Sequence, residues 1–306
     1  MDIIHFLTWL RYKLKYEAKV EFREDQIEEL VKKYYRIPCL KKGLKHRKEG
    51  RRVIVSLTTV PARIDKVWIT IESLLRQNER PDRILLWLAE DEFRDVPIPK
   101  TLRMQEKWGL EIRYCNNLRS YKKFYYSMLE FPENYVLTVD DDSIYSERMI
   151  QEMLAVSSIY PNCIVSNRAH RIRFDGQGLF EYLRWNSYDN RRNISSIPSY
   201  QNFFTGNGGV MFPVRLLDKM VFDQDVFMEI APTADDAWLN FAAWKSKVKI
   251  VNTTGILGFV LPIQSIYYQG LCIENSIRKD GGWECKNDIQ IRKILQYFDI
   301  DIKKYL

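Results

Sequence analysis

The chain has 306 residues, of which 46% are hydrophobic and 13% aromatic, and it carries a formal net charge of +7. This length suits one large α/β domain with additions or two modest domains, and the composition excludes extensive disorder. No apolar run approaches the roughly twenty residues of a transmembrane helix, so none is expected. The amino terminus lacks the basic segment and small-residue cleavage site of a signal peptide, so secretion by that route is not expected either.

Cysteine and histidine usage indicates the compartment and limits the chemistry. The five cysteines are scattered, and no two have the Cys-x-x-Cys spacing of a zinc or redox site. Reduced thiols in a cytoplasmic protein are therefore expected. The three histidines offer little material for a zinc cage or a His-based catalytic triad.

The first 50 residues are predicted to form a helical, basic extension. An apolar stretch that begins at Ile3 precedes a basic one, which is typical of an interfacial amphipathic helix or of a helix docked on the domain's own core. Between Lys41 and Arg52, seven basic residues stand against Glu49 alone. This cluster suits an anionic membrane surface or a polyanion, or else it is a solvated linker. The protein is accordingly expected in the cytoplasm, with residues 1–52 as candidates for peripheral attachment to the inner face of the cell membrane.

Strand and helix patterns alternate in the next part of the chain. Buried strands are predicted at residues 52–57, 83–88, 110–114 and 135–139, and helices at 67–75 and 121–129. Strands that alternate with helices indicate a Rossmann-like, mostly parallel central sheet flanked by helices. Beyond Asp142 the pattern is less regular, and residues 170–200 are predicted to be a long loop or a small excursion.

Three adjacent carboxylates, those of Asp140, Asp141 and Asp142, follow the predicted strand at 135–139. They repel one another unless a positive group lies among them. Hard oxygen ligands on a short turn suit Mg²⁺ or Mn²⁺, which usually also binds substrate phosphates, and ligands bind at the strand ends of open α/β sheets. The alternative is a solvated Asp-rich turn that caps the next helix.

Four motifs follow one another along the chain. They are a strand with its helix and turn (Val53–Leu57, Ser73–Gln77 and Pro81), an apolar strand that ends in Asp-x-Asp (Val136–Asp142), a glycine-rich loop (Gly206–Gly209) and an acidic pair that opens a helix (Ala234–Leu239). In this order they resemble the nucleotide-sugar-binding half of GT-A glycosyltransferases, most closely the family 2-like group, over about residues 52–245. The segment after the first strand and the triple Asp are similar to a subgroup that makes bacterial surface polysaccharide (capsule, O-antigen or lipooligosaccharide).

The resemblance implies an α/β GT-A fold with an N-terminal helical extension, in four regions. They are the helical, basic extension (1–50), a nucleotide-sugar-binding half (51–145), an acceptor-binding and catalytic half (146–265) and a C-terminal segment with a lid and a helix (266–306). It implies transfer of a hexose from a nucleotide sugar, UDP-linked, to a growing surface glycan or lipid-linked oligosaccharide. The cofactor would be Mn²⁺ or Mg²⁺, and no nucleic acid is expected as a partner.

The resemblance also implies roles for the acidic residues. The cation is expected on Asp140 and Asp142, which project from alternate positions, with Asp140 also near the donor ribose. Asp141 belongs to the same donor-binding motif, although its side chain is expected to face away. Asp236 would be the general base of an inverting transfer, and Asp235 would cap the helix or bind the acceptor.

Basic and small residues would border the donor in such a site. Arg63, Lys122 and Lys123 are candidates for pairing with the phosphates, the alternative being ordinary surface cations. Thr59 and Pro61 lie where the family's first loop passes the nucleobase.

Two later segments are further candidates. Gly208 and Gly209 would let the backbone approach the donor sugar, or else they form a turn between buried strands. A group of polar residues near the C terminus would close over the donor as a lid. Its members are Arg278, Lys279, Lys286, Asn287 and Asp288.

Two features depart from the family pattern. The second strand is followed by Leu88-Ala-Glu-Asp91 where the family has an Asp-Asp-Gly-Ser-like run, so Asp91 is a donor-binding candidate but base recognition is not transferred. No histidine follows His170, so the metal would be held by the Asp motif, the diphosphate and water.

Two rival functions stay open at this point. A nucleotidyltransferase or phosphotransferase also uses clustered Asp and a metal, but the segment Thr58–Ile64 lacks the glycines of a phosphate-cradling loop. A nucleic-acid-binding protein would use the basic cluster at 41–52, but no recognised nucleic-acid motif accompanies that cluster.

Overall fold

The computed structural model describes residues 43–47, 50–175, 178–187, 196–253, 260–262, 276–279 and 282–305. The helices predicted within residues 1–40 lie outside the described residues. The strands are β1 (Val53–Thr58), β2 (Arg83–Ala89), β3 (Leu110–Cys115), β4 (Tyr135–Thr138), β5 (Ser143–Tyr145), β6 (Cys163–Ser166), β7 (Ala169–Arg171), β8 (Asn186–Ser187), β9 (Asn202–Phe204), β10 (Val210–Pro213), β11 (Lys249–Asn252), β12 (Val260–Pro262), β13 (Ser276–Lys279) and β14 (Gly282–Cys285). The α-helices are α1 (Val67–Leu75), α2 (Glu90–Phe93), α3 (Lys100–Glu106), α4 (Lys122–Glu130), α5 (Met149–Ile159), α6 (Gln224–Ile230), α7 (Asp235–Lys245) and α8 (Lys286–Tyr297).

Seven strands form the central sheet, in the order β11-β6-β10-β4-β1-β2-β3. Neighbouring strands are parallel except at β10, which runs antiparallel to both β4 and β6. The predicted α/β architecture, a mostly parallel sheet flanked by helices, is confirmed. The sheet takes strands from both predicted halves of the chain, 51–145 and 146–265.

Both faces of this sheet are buried. Along β1, Val53, Val55 and Leu57 pack with residues of α1 and α5, whereas Ile54 packs with residues of α4 and α7. All four side chains are fully buried, and burying one such side chain is worth about 1.5–3 kcal/mol. A parallel strand covered on both faces has a continuous apolar sequence, which is why the run at 52–57 predicted this strand correctly.

Helix α7 is buried on nearly every side, which fixes the position of its first residues. Trp238 and Trp244 are fully buried, and each indole N–H donates a 2.9 Å hydrogen bond to a backbone carbonyl. A buried tryptophan needs such a partner for its N–H group. The helix therefore holds Asp235 and Asp236, at its amino-terminal end, in a defined place.

The segment between β6 and β10 leaves the central sheet. It contains a small antiparallel sheet in the order β8-β7-β9. The predicted loop or small excursion at 170–200 is thus an excursion with strands of its own in the described residues. Strand β9 leads the chain back to the glycine-rich loop at Gly206–Gly209.

Part of the basic cluster at 41–52 is engaged by the domain itself. Lys45 lies 3.0 Å from Glu79, and Arg47 pairs with Glu79 at 2.6 Å and with the buried Asp82. Asp82 also accepts the backbone N–H of Val53, the first residue of β1, at 2.8 Å. Residues 43–47 are therefore attached to the sheet, and of the cluster's cations that the structure describes, Lys45 and Arg47 have acidic partners.

Two further observations concern membrane-spanning helices and thiols. Within the part of the chain that the structure describes, no helix has the length and apolar character to cross a bilayer. Among the cysteines that the structure describes, Cys115, Cys163 and Cys285 are free thiols. Burial raises the pKa of Cys115 to about 12, so this thiol is not a reactive one.

Candidate active site

The loops at one edge of the central sheet bring the acidic and glycine-rich motifs together. The parallel strands β1 and β4 both end at this edge, and Thr59 and Asp140 follow closely after them. Because β10 is antiparallel to β4, it begins where β4 ends, with Val210 opposite Thr138. The glycine-rich loop that precedes β10 therefore lies beside the carboxylates that follow β4.

The side chain of Asp141 is turned to the loop after β1. Its carboxylate accepts hydrogen bonds from Thr59 Oγ1 and Arg63 Nη1, both at 2.6 Å, and its backbone oxygen accepts one from Thr70 Oγ1 at 3.0 Å. Burial raises the pKa of Asp141, against the opposing charge of Arg63. Pro61 opens the short 3-10 helix that carries Arg63. Thr59 and Arg63, both predicted at the donor, thus fix the position of the acidic turn, residues 140–142.

Arg63 also contacts Asp142, with 3.2 Å between Nη1 and Oδ2. Burial raises the pKa of Asp142 to about 7, and the charges of Asp140 and Asp141 act in the same direction. One guanidinium therefore faces two carboxylates, which leaves negative charge at Asp142 that a further cation would neutralise.

Lys123 joins the two acidic motifs. Its Nζ lies 2.8 Å from Asp140 Oδ1 and 3.0 Å from Asp235 Oδ2, and its side chain is 8% exposed. Burial acts to lower the pKa of Lys123, but Asp140, Asp235 and Asp236 hold it well above its ordinary value. The ammonium is therefore a lasting positive charge between the carboxylates after β4 and those that open α7.

The two carboxylates at the start of α7 have separate partners. Ser120 Oγ donates a 2.9 Å hydrogen bond to Asp235 Oδ1, and the backbone N–H of Gly206 donates one of 2.9 Å to Asp236 Oδ2. Burial raises the pKa of Asp236 to about 7, and the charge of Asp235 acts in the same direction. A carboxyl group with a pKa near 7 is suited to general-base catalysis.

The glycine-rich loop has no room for a side chain at Gly206 or Gly208. A Cβ at Gly206 would lie 2.8 Å from Asp236 Oδ1, and one at Gly208 would lie 2.6 Å from Cβ of Arg168. Gly209 has a φ of 85°, in the left-handed region that favours glycine. Gly208 and Gly209, predicted at the donor sugar, thus form a tight turn beside the carboxylates.

A buried hydroxyl ties the acidic turn to this loop. Tyr145 OH accepts a 2.9 Å hydrogen bond from the backbone N–H of Asp140 and donates one of 3.3 Å to the backbone oxygen of Asn207. The Tyr145 side chain is fully buried. Its hydroxyl therefore fixes the distance between the turn after β4 and the loop before β10.

Asp91 follows β2, and Lys122, the first residue of α4, reaches the segments that follow β2 and β3. Lys122 Nζ is 3.3 Å from Glu92 Oε2 and 3.4 Å from Asn117 Oδ1. Asp91 is exposed, and its carboxylate accepts a 3.3 Å hydrogen bond from Asn117 Nδ2. The two adjacent lysines thus have different partners, and only Lys123 pairs with the carboxylates after β4.

One residue of the predicted lid contacts the excursion between β6 and β10. Asp288 Oδ1, in the first turn of α8, accepts a 2.7 Å hydrogen bond from the backbone N–H of Tyr182. Burial raises the pKa of Tyr182 above its ordinary value, and the charge of Asp236 adds to this effect. The charge of the candidate base therefore acts on the Tyr182 hydroxyl.

The charges of this cluster fit a divalent cation bound together with substrate. Five carboxylates face two basic side chains, those of Asp140, Asp141, Asp142, Asp235 and Asp236 against those of Arg63 and Lys123. A cation would relieve this excess of negative charge, most of which is buried or partly buried. Among the described residues, no group of three His, Cys, Asp or Glu side chains is placed to hold a metal alone. A cation on Asp140 and Asp142 would thus take its other ligands from diphosphate and water, as Mg²⁺ usually does.

Sequence reasoning missed Ser120 and Tyr145, which shape the site, and named Gly206 only as part of its loop. Ser120 bonds to Asp235, Tyr145 bonds to the turn and the loop, and Gly206 bonds to Asp236. Gly206 had a signal, because it belongs to the glycine-rich motif. Ser120 and Tyr145 had none, because their roles depend on contacts between distant segments.

No protein-family model matches the chain, and no curated protein matches it either. Three solved structures show a partial likeness: residues 1–349 of TarS from S. aureus in complex with UDP-GlcNAc, the same fragment by itself, and the fragment in complex with UDP. In that order, the sequence identities are 13%, 14% and 14% and the TM-scores are 0.43, 0.42 and 0.40. Each alignment covers 65% of this chain, which spans only 56%, 58% and 57% of the length of those chains. No activity follows from a likeness of this size.

Proposed function

We propose that this protein is a GT-A type glycosyltransferase that uses a nucleotide sugar and a divalent cation. The observation that carries the proposal is that two acidic motifs lie side by side. Lys123 contacts both Asp140, after β4, and Asp235, at the start of α7. Sugar transfer requires a cation on the departing diphosphate and a base for the acceptor hydroxyl. The two motifs supply a group for each task at the edge of the sheet where ligands bind.

The donor side of the site is formed by the turn after β4 and the loops beside it. Asp140 and Asp142 would hold Mn²⁺ or Mg²⁺, which when bound neutralises the charge that develops on the diphosphate. The backbone at Gly208 and Gly209 would lie against the sugar. The loop that begins at Thr59 would border the nucleobase, for which we propose uracil.

The acceptor side is formed by the start of α7 and the excursion between β6 and β10. Asp236 would take the proton of the acceptor hydroxyl as that oxygen attacks the anomeric carbon. Attack on the face opposite the diphosphate inverts the configuration of that carbon. Tyr182, which the charge of Asp236 reaches, would line this side. Following the family resemblance, the acceptor would be a bacterial surface glycan or a lipid-linked oligosaccharide that receives a hexose.

A lipid surface is the proposed location of that acceptor, with residues 1–52 as the attachment. Each Lys or Arg near an anionic membrane is worth about 1 kcal/mol. Lys45 and Arg47 have acidic partners and would contribute less to this attraction than a solvated cation does. Sedimentation with anionic vesicles should fall as salt rises, and equal binding to neutral vesicles would reject this attachment.

The proposed activity is tested by nucleoside diphosphate release from a panel of nucleotide sugars. Release is expected with Mn²⁺ or Mg²⁺ for at least one donor, and EDTA should abolish it. Pyrophosphate release from nucleoside triphosphates, with no release from any nucleotide sugar, would identify a nucleotidyltransferase and overturn the proposal.

A further inference from the structure

The buried ammonium of Lys123 stands between two carboxylates that belong to distant parts of the chain. Asp140 Oδ1 lies 2.8 Å from Nζ and Asp235 Oδ2 lies 3.0 Å from it. Asp140 follows the central strand β4, whereas Asp235 is the first residue of α7. Lys123 itself lies in the first turn of α4. One side chain therefore links three elements of the fold at the candidate site.

The surroundings leave this ammonium little freedom. A Cβ at position 206 would lie 3.0 Å from Lys123 Nζ, so only a glycine there leaves the observed space. Ser120, which lies one helical turn before Lys123, holds the other oxygen of Asp235 at 2.9 Å. Burying a lysine is costly unless its charge is paired, and here two carboxylates provide that pairing.

We infer that Lys123 is a positioning residue that holds the carboxylates of Asp140 and Asp235 close together. We also infer that its ammonium competes with the divalent cation for Asp140. The second half of this inference rests on the proposed function, because it requires a cation at Asp140. A carboxylate oxygen that already accepts an ammonium at 2.8 Å attracts a second cation less strongly. The ammonium thus weakens cation binding while it sets the distance between the cation-binding turn and the helix that carries Asp236.

The two parts of the inference predict opposite changes in one variant: tighter cation binding and slower sugar transfer. Lys123→Met keeps most of the side-chain volume and removes the charge. Cation affinity should rise by about tenfold, because Asp140 loses its competing positive charge. Sugar transfer should fall by about 100-fold, because the turn and the helix are no longer held together. A residue that only supports the fold would not tighten cation binding.

The experiment measures Mn²⁺ binding to the full chain by electron paramagnetic resonance, both without nucleotide and with saturating UDP. UDP affinity, transfer activity and the circular dichroism spectrum are recorded beside it. Lys245→Met is the matched control, because Lys245 lies at the other end of α7 and donates to the backbone oxygen of Phe298 at 3.1 Å. The control should keep the parent's Mn²⁺ affinity and activity. Lys123→Gln, which is also neutral, replaces Lys123→Met in the comparison if the methionine variant does not fold.

Each outcome has a separate meaning. A parent protein that binds no Mn²⁺, either alone or with saturating UDP, overturns the cation site of the proposed function and the competition together. A parent that binds Mn²⁺, with neutral variants that bind it no more tightly, overturns the competition alone. Weaker UDP binding with unchanged Mn²⁺ affinity would make Lys123 a phosphate ligand and overturn the inference. Tighter Mn²⁺ binding with reduced transfer supports it.

Discussion

The backbone N–H of Gly206 donates a 2.9 Å hydrogen bond to Oδ2 of Asp236. This contact joins the glycine-rich loop before β10 to the first turn of α7. It also orients the carboxylate that we propose as the general base, because one of its oxygens is held by a fixed donor. The second oxygen lies 2.8 Å from where a Cβ at Gly206 would be, so the base and the loop are in close contact.

Replacing Gly206 with alanine should therefore damage the site without unfolding the protein. The added methyl group would meet Asp236 Oδ1 and displace it, and a displaced catalytic group typically costs about 100-fold in rate. The measurement is the rate of sugar transfer at saturating donor. Gly178→Ala is the matched control, because a Cβ at that position meets nothing within 4 Å. Equal activity of the two variants would show that the contact at Gly206 has no role.

Removing the proposed base should lower turnover and spare donor binding. Asp236→Asn keeps the size of the side chain but cannot accept the proton, so turnover should fall by about 10²–10⁴-fold. Asp235→Asn should act more on stability or acceptor binding. The anomeric proton coupling of the product, measured by NMR, should report inversion relative to the donor. A retained configuration would overturn the role of Asp236 as base.

The ion pair between Arg63 and Asp141 should contribute to stability beyond an ordinary surface pair. Arg63→Met would leave the buried carboxylate of Asp141 without its cation, which should lower the free energy of unfolding by about 3 kcal/mol. Adding Asp141→Asn to that variant should recover part of the loss, because it removes the uncompensated charge. Urea denaturation of the two single variants and the double variant gives these values.

An exposed ion pair provides the control for this comparison of single and double variants. Arg103 lies 3.0 Å from Glu106, and its side chain is 57% exposed. Arg103→Met should change the free energy of unfolding by less than about 0.5 kcal/mol. Additive effects of Arg63→Met and Asp141→Asn would show that the buried pair is not coupled.

His170 should make stability depend on pH between about 4 and 6.5. Burial lowers the pKa of His170 from 6.5 to about 4, and the charge of Arg168 acts in the same direction. Below pH 6.5 the unfolded chain binds the proton and the folded chain does not, so stability falls as pH falls. His170→Gln should lose less stability than the parent between pH 7 and pH 5 in thermal unfolding. Identical pH slopes for the two proteins would contradict the shifted pKa.

The fold was largely predictable because buried parallel strands have continuous apolar sequences. The run at 135–139 predicted β4, which ends at Thr138. The pattern did not predict that β10 runs antiparallel, because strand direction depends on the course of the chain between strands. That reversal is what brings the glycine-rich loop beside Asp140.

The partners of individual side chains were less predictable. Lys122 and Lys123 looked alike in the sequence, but adjacent residues on a helix point about 100° apart. Lys122 consequently reaches Glu92, whereas Lys123 reaches Asp140 and Asp235. Which lysine faces the carboxylates depends on the rotation of α4 against the sheet, and this is set by packing of the whole core.

The most direct test of the central claim, that a divalent cation on Asp140 and Asp142 binds the donor diphosphate, is calorimetric titration of UDP into the full chain. The parent should bind UDP in the presence of Mn²⁺, and excess EDTA should abolish that binding. Asp142→Asn should bind UDP at least about tenfold more weakly in Mn²⁺, because one of two protein ligands is lost. UDP binding that is equally tight in EDTA, or unchanged in Asp142→Asn, would contradict the account.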